Sequence, residues 1–264
     1  MSIHDGRAQT KQTPGFGHLA KPGMSALPNR RPVHELIADS LRLTIMAGHH
    51  LPGERLNQEE LASFYGVSRM PVREALLKLQ GEELVVSIPH KGFAVAELSV
   101  EEVEDIFSIR IMLEGLATRL AIPNMTAQRL ARIAENLQRQ QEYGENIDAR
   151  LELNREFHGT IYEAAKRPRL VALVTNLRNI VEAYSRIYTS AEGRASATLS
   201  EHRRIFEACR QGQAELGEEL AQEHLRNIVD ILVPKLKSST AADFRANEPK
   251  EQERFAYAEA DSSL

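Results

Sequence analysis

The sequence holds a single cysteine, Cys209, lacks any apolar run long enough to cross a bilayer, and has no excess of positive charge. One cysteine cannot close an internal disulfide or build a cysteine-based zinc cluster, which agrees with a reducing compartment and leaves Cys209 as a small core hydrophobe. A spanning helix needs about 20 consecutive apolar residues. The opening segment is polar and interrupted by Gly and Pro, unlike a secretory leader. The expected location is therefore the cytoplasm, with no membrane partner. A formal net charge of −4 excludes a chain that coats nucleic acid with its whole surface, although it allows a local basic patch. There is also no His-Glu-x-x-His helix, no nucleophile elbow and no glycine-rich phosphate loop, so catalysis has no motif to rest on.

A chain of 264 residues has room for two ordinary domains. Residues 1–30 mix Gly, Pro, Ser and Lys without period and read as a flexible tail, as do the acidic residues 239–264. Between them the pattern changes twice, from helices to strand-like runs and then, from Ser99 onward, to helices alone. Over 31–98, helical periodicity at Val33–Ala47 is broken by Pro52-Gly53 and resumes at Glu59–Phe64 and Arg69–Leu79. Two strand-like runs follow, Leu84–Ile88 and Phe93–Ala96, joined by the turn Pro89-His90-Lys91-Gly92. Three helices and a hairpin, in that order, predict a winged helix-turn-helix. Over 99–238 only helices are legible, at about 99–122, 126–143, 147–166, 169–189, 197–211 and 213–237, and their apolar stripes predict a six-helix antiparallel bundle. Ser99 is the expected N-cap of the first, with Glu101 and Glu102 in its first turn. The fold class expected is mainly α, a winged helix-turn-helix followed by that bundle.

The most informative stretch is Gly66-Val67-Ser68-Arg69-Met70-Pro71-Val72-Arg73-Glu74-Ala75-Leu76. Ser68 is placed to cap the helix, and Pro71 is tolerated where amides lack intrahelical partners. Arg69 and Arg73 share one face at the helix start, where arginine reads guanine in the major groove or pairs with phosphate. Arg55 precedes the second helix closely enough to add a contact. Lys91 and Gly92 at the wing tip offer a cation and a bare backbone to the minor groove or a phosphate. Taken singly, each arginine is equally well read as solvated surface.

Residues 31–98 resemble the winged-helix domain of GntR-type bacterial regulators. The match runs through Leu51-Pro52-Gly53-Glu54-Arg55-Leu56, Gly66-Val67-Ser68-Arg69, Pro71-Val72-Arg73-Glu74-Ala75-Leu76 and Lys91-Gly92-Phe93. The resemblance implies DNA contacts at Arg55, Ser68, Arg69, Arg73, Lys91 and Gly92, and a homodimer on a pseudo-palindromic operator.

Beyond the wing the only histidines are His158, His202 and His224, each on the apolar stripe of a different helix. All three would face the bundle interior, with Asn154 one turn before His158. Buried imidazoles need partners, and either a divalent metal or a hydrogen-bonded polar cavity would supply them. Arg110 is placed either to clamp a carboxylate or to pair with Glu114 one turn on; Arg178 and Tyr184 are further candidates.

Residues 101–232 resemble the helical ligand-binding domain of the FadR-like branch of that family, in its metal-binding type and shorter, VanR-like form. The match is carried by Ile106-Phe107, Arg110, Leu113-Glu114, Asn154-Arg155-Glu156-Phe157-His158, Glu201-His202-Arg203-Arg204-Ile205 and Glu223-His224-Leu225. The resemblance implies that Asn154, His158, His202 and His224 hold a divalent metal, zinc or nickel foremost, beside a small carboxylate effector. It implies a repressor released from its operator by that effector. Two readings compete with it: a metalloenzyme using the three histidines to activate water, and a DNA-binding protein without an effector.

Overall fold

The computed structural model describes residues 31–143, 146–189 and 193–238; both expected tails lie outside them. The first region is built from α1 (Val33–Met46), β1 (Arg55–Leu56), α2 (Gln58–Phe64), α3 (Arg69–Gly81), β2 (Val85–Ile88) and β3 (Gly92–Val95). Asn57 starts α2 by accepting the Glu59 amide on its side chain. Ser68 occupies the N-cap of α3 but makes no capping bond, so the expected cap is corrected to an exposed hydroxyl at the helix start.

The expected hairpin forms as β2 and β3, with Ser87 opposite Phe93. The sheet has a third strand just after the Pro52-Gly53 break: β1 pairs antiparallel with β3, giving the order β1-β3-β2. Arg55 thereby stands opposite Ala94 and Leu56 opposite Phe93. Pairing alternates faces, so Leu56 goes into the core while Arg55 stays outside. At the hairpin turn Gly92 has φ 87°, a left-handed conformation natural to glycine. Ile37, Leu41, Leu76, Leu79 and Phe93 lead this region's own apolar core.

The second region contains, among the described residues, six α-helices: α4 (Val100–Ala121), α5 (Ala127–Tyr143), α6 (Ile147–Glu163), α7 (Pro168–Thr189), α8 (Arg194–Gln211) and α9 (Ala214–Ser238). A 3-10 turn, Ile122–Asn124, follows α4. Ser99 caps α4 as expected, in a reciprocal capping box: its hydroxyl accepts the Glu102 amide and the Glu102 carboxylate accepts the Ser99 amide. α4 lies closest to α9. The approach depends on small residues, since a methyl group added at Gly217 would overlap the Ile122 side chain and one at Gly115 would meet that of Gln222.

Two further cores result, one around Phe157, Ile161 and Ile205 and one around Val103, Phe107 and Leu232. The winged helix and the bundle also touch beyond the chain linking them. α1 meets α7. The Leu98 amide in the linker donates to the Tyr184 hydroxyl of α7 at 2.8 Å.

Candidate functional site

Two groups of side chains stand out, one on the winged helix surface and one sealed in the bundle. On the surface, Arg69 and Arg73 project from the first two turns of α3 and are exposed, as are Ser68, Arg55 and Lys91; Gly92 is half-buried. The N-terminus of a helix carries partial positive charge, so arginines here add to a field that favours anions. Arg69 is not idle: its guanidinium meets the Glu59 carboxylate of α2 at 2.8 Å, with both side chains mostly exposed.

Inside the bundle α6, α8 and α9 bring His158, His202 and His224 together, with a ligating nitrogen of each within 4.8 Å of the others. All three are buried. Their Nδ1 atoms are already occupied. His158 Nδ1 lies 3.1 Å from the Tyr162 hydroxyl, His202 Nδ1 2.8 Å from Gln140 Oε1, and His224 Nδ1 2.6 Å from Glu201 Oε2.

The tautomers follow from these partners. The Tyr162 O–H is spent on Glu114 at 2.5 Å, so its oxygen accepts from His158. Gln140 donates its amide N–H to Asn136, which leaves its carbonyl oxygen facing His202. The ionised Glu201 carboxylate only accepts, and Asn227 and Arg194 donate to it as well. Each imidazole therefore carries a proton on Nδ1, which leaves Nε2 as the atom open to a ligand. His202 Nε2 is buried without a partner among the described residues. An orphaned buried acceptor costs free energy. Three imidazoles oriented through Nδ1 are the donor set that a zinc-like ion takes, so the residues fit the metal that the sequence resemblance implies. Burial, and then the nearby positive charge of Arg178, holds His158 well below the usual histidine range; burial and His224 do the same for His202. Both stay neutral and ready to ligate.

Beside the triad lies a cavity open to solvent at its mouth, lined by Asn154, His158, His224, Arg110 and Arg178 among others. Asn154 is half-buried and makes no side-chain hydrogen bond among the described residues. Arg110 makes the ion pair that is one of its two readings, and it also faces the cavity. It lines the cavity, and its Nε donates to Glu114 at 2.7 Å. Burial alone would raise the Glu114 carboxyl, but Arg110, Arg178 and the Tyr162 hydroxyl outweigh it and hold the group below the ordinary range. Arg178 stacks over the Tyr162 ring at 5.8 Å.

Tyr184 is a correction. Its ring packs with Val103, Ile180 and Leu236, away from the cavity, and its hydroxyl holds the linker amide instead. Burial pushes that hydroxyl up to about 12, so it stays protonated. Gln140, Tyr162 and Asn136 have no place in the sequence-based expectations, and Glu201 figures there only within the matched run that contains His202. Only Tyr162 left a signal, lying one helical turn beyond His158.

A winged helix presenting arginines from its third helix, joined to a bundle with a buried polar cavity, defines a DNA-binding protein with a ligand-sensing domain. Family models agree: residues 34–95 match "Bacterial regulatory proteins, gntR family" and residues 105–227 match the FCD domain. This chain belongs to the gntR family, in the branch whose C-terminal half is an FCD domain, and is a DNA-binding transcriptional regulator of that type. It is 29% identical over 202 residues to the HTH-type transcriptional regulator YdhC of Bacillus subtilis (strain 168), covering 73% of this chain and 90% of that protein. The HTH-type transcriptional repressor RspR of Escherichia coli (strain K12) is 27% identical over 200 residues, 75% of this chain and 88% of that one. The solved structure of E. coli McbR/YncC superposes with a TM-score of 0.72 at 25% identity, covering 78% of this chain and 99% of that chain.

Proposed function

We propose that the chain is a homodimeric cytoplasmic repressor, released from its operator by a small carboxylate that binds beside a divalent metal in the bundle. The observation carrying this reading is the set of three buried imidazoles, each fixed through Nδ1, next to a cavity lined by Arg110 and Arg178. His158, His202 and His224, with the Asn154 oxygen, would hold the metal. When bound it supplies positive charge that draws a carboxylate, with zinc or nickel the expected ions.

The remaining roles belong to this chain's own residues. Arg69 and Arg73 enter the major groove, Arg55 and Ser68 take phosphates, and Lys91 with Gly92 follows the adjacent groove. Arg110 and Arg178 orient the carboxylate. α7 joins the two sites, since it lines the cavity through Arg178 and Glu182 and holds the linker through Tyr184. A ligand that shifts the balance between two arrangements of α7 changes the hold on Leu98, and with it the spacing of the two winged helices. Regulation, not catalysis, is the reading that the named relatives favour.

The test is the metal content of untagged, chelator-free protein by mass spectrometry, beside a His158→Ala His202→Ala variant. About one ion per chain, absent from the variant, is expected of such a site. No ion even after added zinc or nickel would remove the metal from the proposal while leaving the DNA-binding surface untouched.

A further inference from the structure

The cavity does not end at the histidines. Along α7 it is lined in turn by Arg178, Glu182, Ser185 and Thr189. These occupy one helical face over 11 residues, roughly 16 Å at the α-helical rise. Arg178 marks the inner end, where it acts on His158; Thr189 marks the outer end.

The outer residues differ in their bonding from several other hydroxyls of the bundle helices. The hydroxyls of Ser108, Thr118 and Thr160 each donate to the carbonyl one turn back. Ser185 and Thr189 make no such bond among the described residues, and neither does any other described group accept from them. Glu182 is buried, and its carboxylate has only a long 3.5 Å approach from Arg155. Helical serine and threonine ordinarily satisfy themselves within the helix. Here two hydroxyls and a carboxylate are left facing the same space. An aliphatic or aromatic acid lying along this face would displace water from all three without replacing its hydrogen bonds, and a second carboxylate beside Glu182 would meet a like charge, with Arg150 as the cation of the same lining. Hydroxyl groups satisfy every one of them: Glu182 accepts, while Ser185 and Thr189 both donate and accept.

We infer that the effector is a carboxylate bearing several hydroxyl groups along its chain. Its carboxylate end lies toward Arg110, Arg178 and the histidines, and its hydroxylated chain runs outward along Glu182, Ser185 and Thr189. The inference rests on the effector-site reading given above and narrows it to a chemical class.

Isothermal titration of the full, metal-loaded chain tests it, using aldonates from glycerate to gluconate against the unsubstituted acids from propanoate to hexanoate and against adipate. We expect the best aldonate to bind at least tenfold more tightly than its unsubstituted counterpart. A Ser185→Ala Thr189→Val variant, with unchanged metal content and circular dichroism, should lose most of that preference while binding the unsubstituted acids as before. Equal binding of hexanoate or adipate, or a preference that survives the variant, overturns the hydroxyl assignment alone. Binding of none of these acids, with or without metal, overturns the carboxylate effector site itself and this inference with it.

Discussion

The winged helix and the bundle use the same residue types in opposite ways. On the winged helix, Arg55, Arg69, Arg73 and Lys91 stand in solvent, and the one ion pair involving them among the described residues, Arg69 with Glu59, is about two-thirds exposed on both sides. Such a pair contributes about 0–1 kcal/mol. In the bundle, Arg110 and Glu114 meet at 2.7 Å with side chains 7% and 1% exposed. Buried charges of this kind are committed to one another, because losing either strands its partner in a medium that solvates it poorly. Surface arginines remain available to an outside partner, whereas the buried network fixes the shape of a chamber. The winged helix therefore carries function as display and the bundle carries it as enclosure.

The largest expected effect lies in the enclosed network. Glu114→Ala leaves Arg110 and Arg178 without their shared counter-charge and Tyr162 without its acceptor. We expect it to destabilise the protein by roughly 3–5 kcal/mol, measured by denaturant unfolding. A cost under about 1 kcal/mol would put this pair on a level with the exposed one and end the contrast.

Next come the displayed arginines, where stability and function should separate. Arg69→Ala and Arg73→Ala should each weaken operator binding by about 1–3 kcal/mol where the contact is to a base. Unfolding should scarcely change, because both side chains are exposed. Fluorescence anisotropy on an operator selected from random DNA, paired with a melt, reads both quantities. Unchanged affinity in both variants would mean that display on α3 is not how the protein reads DNA.

Tyr184→Phe probes the join between the two regions. It removes the acceptor of the Leu98 amide. The expected loss of stability is about 1 kcal/mol. Affinity for the effector should hold, since the ring lies outside the cavity, while the effector's power to release DNA should fall. A variant that responds like the parent would show that the linker bond carries no signal.

The same contrast explains what could be read from the sequence. The winged helix was legible because local chemistry marks it: Pro52-Gly53 breaks the chain, Gly66 turns it, and Gly92 closes the hairpin. Only β1 was missed, since two residues have no periodicity and Arg55–Leu56 become a strand only by pairing with β3. The three histidines were legible for another reason, their alternation of three and four with apolar neighbours. What surrounds them was not. Glu201 sits beside His202 in sequence yet bonds His224, and Gln140 reaches His202 from 62 residues away. Such pairings depend on which helices adjoin, a fact that no single helix contains. Tyr184 shows the limit of periodicity: its helix face does turn inward, but at that height it meets the start of α4 and the linker rather than the cavity.

The smallest effect offers the finest test of display. Glu59 holds Arg69 in the free protein, so DNA must displace a carboxylate before it gains the guanidinium, and that carboxylate also repels phosphate. Glu59→Gln should cost well under about 1 kcal/mol of stability, since the pair is exposed and the charge contributes only to the α2 dipole. Affinity should rise a few-fold at low salt, on operator and scrambled duplex alike, because the gain is electrostatic and blind to sequence. Titrations across a salt series separate this from the alternative. If operator binding alone is lost, Glu59 is itself reading a base, as a carboxylate accepting from cytosine N4 does, and the displayed surface extends from α3 onto α2.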